Sequence, residues 1–253
     1  MHVEISLSAK SVSQFEPVWV SLTFSNQLGE PLRVDLGAKR AANIDVSLKS
    51  SIGILRLSPA VDIGGFGPPP EVELEPLATY EQRLLLNEKF PTIEPGSYAV
   101  RVVFKGPLSK DWGNTRAEML TVDQTFDLEV RPVDEARLQT VCSELSSTVA
   151  AEIDATDRKR AATALKYISH PVCIASIVKL LTKNSPFLPQ LTAGLARMEN
   201  RAAVDALAPF LTDEDEMVGV YARMAVNTIR QNTQNVDLRA RIDAILKKVP
   251  APN

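Results

Sequence analysis

Residues 165–181, LKYISHPVCIASIVKLL, and residues 195–211, LARMENRAAVDALAPFL, carry the same apolar positions at a constant offset of thirty. Leu165, Ile168, Ile174, Ile177, Leu180 and Leu181 of the first stretch fall on Leu195, Met198, Val204, Leu207, Phe210 and Leu211 of the second. Spacings of three and four within each stretch put these side chains on one face of a helix. A gapless offset across two helices means that each copy is a helix pair, which buries its stripe only by stacking on a neighbour. A third copy runs through Ala222, Val226 and Ile229, takes extra residues around Gln231–Gln234, and resumes at Ile242, Ile245 and Leu246. Ahead of the copies, Asp134 is placed to cap a leading helix that carries Leu138, Cys142, Leu145 and Val149 on one face.

Turn residues agree with this division. Ser169-His170-Pro171 and Ser185-Pro186 put proline just inside a helix start, where its missing N–H costs nothing. Pro209 lies near the end of a predicted helix and is expected to kink or shorten it. Asp213, Glu214, Asp215 and Glu216 set negative charge at the positive end of the next helix.

Upstream the period changes from 3.6 to 2. Val18, Val20, Leu22 and Phe24 alternate with Trp19, Ser21, Thr23 and Ser25, as a strand with one buried face does. Val3–Leu7, Ile44–Leu48, Tyr80–Leu86, Tyr98–Phe104 and Phe126–Val130 follow the same rule, with fainter candidates at Leu32–Leu36, Ile52–Leu57 and Val72–Leu74. Seven or more short strands and no helical stretch predict an antiparallel β-sandwich over residues 1–131. Residues 132–253 are then an all-α domain of about three helix pairs plus the leading helix, joined by a linker short enough to restrict relative motion.

Two resemblances follow. Glu94-Pro95-Gly96-Ser97-Tyr98 resembles the late-strand entry of Ig-like and fibronectin-like domains, in which such a tyrosine bonds back to the corner backbone. The antibody-type cysteine pair is absent, because this half has no cysteine. The helical half resembles the HEAT-repeat family, especially the short bacterial form also seen in phycobilin-lyase-like proteins. Leu211–Val218, continuing to Ala222, Val226 and Ile229, carries that likeness. Gly219 stands where the family often has arginine, and the family's aspartate is present as Asp205 but is Ala175 in the preceding copy. The resemblance implies a HEAT-like α-solenoid and a binding scaffold.

Composition narrows the function. The chain of 253 residues has a net charge of −3, and no single part is strongly charged. Residues 1–132 hold 13 Lys+Arg against 17 Asp+Glu, and residues 133–253 hold 15 against 14. That balance argues against nucleic acid as partner. No apolar run reaches the roughly 20 residues of a membrane span, and no leader pattern opens the chain. The chain is accordingly cytoplasmic or an extracytoplasmic protein shown without its leader.

Catalytic and metal-binding patterns are missing. His2 and His170 have no companion at zinc-ligand spacing. Cys173 lies three residues from His170, which invites a thiol–imidazole reading, but it falls on the apolar side of its helix, as Cys142 does on its own. Both read as buried thiols, with a disulfide open to them only where their Cα atoms come within about 7 Å. No cofactor is implied, and a hydrolase or lyase reading rests on fold analogy alone.

Binding candidates remain. Phe66 sits in the Gly/Pro-rich loop Ser58–Pro70 and Trp112 in the loop Gly106–Glu118, both as potential aromatic anchors. Arg158, Lys159 and Arg160 begin one helix, and Arg223 and Arg230 lie on a later one, a basic strip for an acidic partner or a nucleic-acid backbone, or otherwise a solvated face diluted by acidic neighbours. The expectation is a non-enzymatic adaptor that holds a protein partner. The alternative is a carbohydrate- or cell-envelope-binding module in which the helices act as a spacer.

Overall fold

A computed structural model describes residues 1–37, 42–51, 53–56, 71–90, 92–109, 118–182 and 185–249. The chain divides into two compact units, Met1–Gln14 with Val18–Pro132, and Phe15–Pro17 with Val133–Asn253. The first is rich in sheet and the second is helical.

The sheet unit contains β1 (His2–Leu7), β2 (Ser11–Ser13), β3 (Trp19–Ser25), β4 (Leu32–Asp35), β5 (Ile44–Ser50), β6 (Gly53–Arg56), β7 (Glu71–Leu74), β8 (Thr79–Leu85), β9 (Gly96–Ser109) and β10 (Glu118–Arg131). One sheet has the order β1-β3-β8; the other runs β2-β10-β9-β4-β7, with β5 pairing β9 and β6. Alternation does what the sequence asked of it: Val20, Leu22 and Phe24 of β3 are fully buried while their neighbours are half-exposed. The two sheets share one core, in which Phe24 meets Phe104 edge-on with ring centroids 5.1 Å apart.

Two expectations for this unit need correcting. The pairing is mixed, because β2 runs parallel to β10, with Glu129 opposite Ser11 and Arg131 opposite Ser13. After β1 the Ser8 N–H donates to the Trp19 carbonyl and the Ser8 hydroxyl oxygen accepts the Trp19 N–H, and the next strand, β2, belongs to the other sheet. The absence of helix also fails: α1 (Leu86–Lys89) follows β8 directly. Leu86 and Asn87 are both buried there, and the Asn87 amide oxygen accepts the Val18 N–H at 2.8 Å, satisfying a buried donor at the head of β3.

The helical unit contains α2 (Glu135–Ala150), α3 (Ala155–Tyr167), α4 (Ile174–Val178), α5 (Leu188–Arg197), α6 (Arg201–Leu207), α7 (Glu216–Asn232) and α8 (Val236–Leu246), with 3-10 turns at Pro171–Cys173 and Ala208–Thr212. Side chains cap the helices where the sequence placed oxygen acceptors. Asp134, Asp154, Asn200, Asp215 and Asn235 accept backbone N–H groups at the starts of α2, α3, α6, α7 and α8. Pro209 falls in the 3-10 turn that ends α6. Pro186 lies ahead of α5, whose first turn holds Pro189 instead.

Helices α3 and α7 both pack on α5, and α4 packs on α6. The repeated positions Leu165, Leu195 and Val226 are fully buried in one core, as are Ile177 and Leu207. Cys142 and Cys173 are buried there too, but they are joined rather than free, their Cα atoms 5.5 Å apart. No helix among the described residues is long and apolar enough to cross a membrane.

Candidate functional site

Phe66 and Trp112 lie outside the described residues, as do most of the loops that carry them. The four arginines of the expected basic strip, Arg158, Arg160, Arg223 and Arg230, are placed, and each already has an oxygen acceptor, that of Arg230 being Asp243. Arg158 donates its Nε to the Val149 carbonyl at 3.0 Å, and Arg223 donates to the Leu211 carbonyl at 3.1 Å. Arg239 does the same to Thr233 at 2.7 Å. Each reaches back to a carbonyl in the last turn of the preceding helical segment or just after it, where intrahelical donors run out and positive charge is favoured. Arg160 pairs with Asp157 on its own helix. Because α5 lies between α3 and α7, Arg158 and Arg160 are not gathered with Arg223.

Cys173 is held in the pair with Cys142, and the His170 Nδ1 accepts the Val172 N–H. Thiol and imidazole are therefore each committed to structure. Among the described residues no group of three or more His, Cys, Asp or Glu is arranged to hold a metal ion.

A cleft of about 380 Å³ opens where the starts of α6 and α8 approach each other, lined by Glu199, Asn200, Arg201, Asn235, Asp237, Leu238 and Arg241. Asn200 and Asn235 spend their side-chain oxygens on Ala203 and Leu238 N–H groups. Arg241 donates to Asp205 at 2.7 Å, and Arg201 stands 3.6 Å from the same carboxylate. Asp205, read from sequence as an isolated survivor of a family pattern, thus binds an arginine of the next helix pair. Its charges nearly cancel, which suits the cleft to polar contacts and not to a strong ion.

One group was not singled out in the sequence. Tyr167 ends α3 with its ring buried, and two cations pack against it: Lys166 Nζ lies 4.9 Å and the Arg197 guanidinium 4.8 Å from the ring centroid. Gly194 brings Arg197 there, since a Cβ at that position would stand 3.0 Å from the Lys166 Cα. The repeat offset carried the signal: Lys166 and Arg197 are separated by 31 residues, one copy plus one position.

In the sheet unit, Arg101 and Asp123 form an exposed pair across β9 and β10. Their mutual hydrogen bond holds the Asp123 carboxyl below the usual range. The Tyr98 hydroxyl donates to the Glu94 carbonyl at 2.7 Å, and burial followed by the Glu94 charge raises its phenol pKa.

No family model matches this chain, and no curated protein does. Solved structures match it only loosely. The alkylpurine DNA glycosylase AlkC of Pseudomonas fluorescens aligns over 51% of this chain and 30% of its own, at 13% identity and a TM-score of 0.25. A β-glucosidase from Listeria innocua aligns over 52% of this chain and 16% of its own, at 16% identity and 0.26. A protein from Archaeoglobus fulgidus aligns over 51% of this chain and 97% of its own, at 10% identity and 0.23. This chain spans less than a third of the length of the first two, and at such TM-scores none carries an argument about fold or activity.

Proposed function

We propose that this chain is a non-enzymatic scaffold or adaptor, with an Ig-like sandwich followed by a HEAT-like solenoid that holds a protein partner on its helices and on the loops of the sheet unit. The observation that carries the reading is on α7. Met217 and Met224 are 52% and 58% exposed, and half-buried Tyr221 lies between them at helical spacing. Large flexible apolar side chains held out from an otherwise well-packed repeat are characteristic of partner-binding surfaces. Two further features favour the fold types. The Tyr98 bond to the corner carbonyl is the contact that the Ig-like resemblance implies. The pairing of Asp205 with Arg241 joins consecutive helix pairs.

The test is affinity capture with the whole chain, repeated with Met217→Lys/Met224→Lys. A protein captured by the parent and lost with the double variant supports the reading. Capture that survives the double variant removes α7 as the surface, and capture that survives Trp112→Ala removes the loop of the sheet unit. If no protein is captured and a polysaccharide panel binds instead, the glycan-binding alternative replaces the proposal.

A further inference from the structure

The helical unit treats its arginines consistently, with one exception. It contains nine arginines between residues 133 and 249. Arg137 meets Glu16, Arg160 meets Asp157, Arg201 and Arg241 meet Asp205, and Arg230 meets Asp243. Arg158, Arg223 and Arg239 bond backbone carbonyls. Arg197 alone, among the described residues, has no oxygen acceptor. Its Nε is buried and without a partner, and its guanidinium rests on the Tyr167 ring. Lys166 lies against the same ring and has no carboxylate either.

Two half-buried cations are thus set against one aromatic, and the ring's quadrupole offsets only part of the cost of desolvating them. An oxyanion would complete the arrangement, with the planar guanidinium supplying paired donors and the ammonium a compact charge. We infer that Arg197 and Lys166, held against Tyr167, form a binding site for a carboxylate side chain of an acidic protein segment. The inference rests on the scaffold reading above for the source of that carboxylate.

Charge selects a carboxylate over a nucleic-acid backbone. A polyanion needs a row of cations for successive phosphates, whereas the other eight arginines already have acceptors. Preorganisation favours binding as well: Gly194 sets the close approach of α5 to α3, so the two cations sit on packed helices and lose little freedom when the ligand arrives.

The experiment measures fluorescence anisotropy of a labelled oligoglutamate peptide on the whole chain at low salt, with the oligoglutamine analogue as the neutral probe. Binding of the first and not the second is expected, weakened about tenfold by Arg197→Gln and by Lys166→Gln. Lys179→Gln, which removes an exposed charge at the end of α4, should leave it unchanged. Arg197→Lys should retain part of the affinity because it keeps charge but loses the fork. Helical signal at 222 nm establishes that each variant is folded, and if Arg197→Gln does not fold, Lys166→Gln and Arg197→Lys decide. Equal binding by the analogue, unchanged affinity in Lys166→Gln, or equal loss in Lys179→Gln would overturn the site. So would tighter binding of inorganic phosphate or of a single-stranded oligonucleotide. A captured protein that binds Arg197→Gln undiminished overturns this site and leaves the scaffold reading standing. Peptide binding at the site with no protein captured does the opposite.

Discussion

Replacing Gly106 with alanine tests whether β4 and β9 approach as closely as described. A Cβ at residue 106 would lie 2.4 Å from the Asp35 carbonyl oxygen and 2.7 Å from the Phe104 ring. Restoring an ordinary contact of roughly 3.5 Å requires a displacement of about 1 Å. Neither neighbour yields cheaply. Asp35 ends β4, which is bonded to both β7 and β9, and Phe104 is fully buried against Phe24. The cost therefore falls at the upper end of the overpacking range, about 3 kcal/mol, or roughly 12 °C in Tm for a unit of this size. Both tryptophans, Trp19 and Trp112, precede residue 132, so their fluorescence reports on the sheet unit while ellipticity at 222 nm is dominated by the helices. Gly29→Ala, where a Cβ meets nothing within 4 Å, is the matched control. A fluorescence midpoint within about 2 °C of the parent in Gly106→Ala would refute the close approach.

Three further outcomes are expected. Cys142 and Cys173 are 31 residues apart, so reducing their bond should lower the stability of the helical unit by about 3.7 kcal/mol on the chain-entropy model; thiol titration of the denatured, unreduced protein should find no reactive cysteine, and two would disprove the pairing. Tyr98→Phe removes the bond to the Glu94 carbonyl and should cost the sheet unit about 0.5–1 kcal/mol, measured by tryptophan fluorescence in urea. Because the folded phenol pKa is raised, the stability it contributes is present below the unfolded pKa and declines as alkaline pH rises through the folded value; Tyr98→Phe should flatten that decline. Asp154 is the reverse case. Its carboxylate accepts the Thr156 N–H, which lowers its pKa, so its support for α3 is present at neutral pH and is lost in acid as pH falls through the folded value. An acid titration of ellipticity should show a smaller loss for Asp154→Ala than for the parent.

Much of the architecture is legible in single residues. β3 was readable because every second side chain is apolar, and α7 because the acidic run Asp213–Glu216 precedes Ala222, Val226 and Ile229 at helical spacing. α1 was not, since Leu84 and Leu86 continue the two-residue period across a boundary set by the buried bond from Val18 to Asn87. The expected strip of Arg158, Arg160 and Arg223 rested on charge and helical position. The acceptors of Arg158 and Arg223 are backbone carbonyls, which carry no trace in side-chain identity.

The sequence by itself determined the change of period near residue 132, most of the strands and helices on either side of it, the Asp134 cap and the apolar face that each would bury. These follow from local chemistry: the spacing of apolar groups and the reach of a side chain to its own backbone. Only the tertiary structure decided that β2 runs parallel to β10, that Cys142 and Cys173 meet, and that Lys166 and Arg197 share the ring of Tyr167. A periodic stripe specifies which face is buried, but it leaves open which residues of distant segments face one another. That choice is made by steric fit between whole elements, as at Gly194, where the absence of one Cβ lets α5 close on α3.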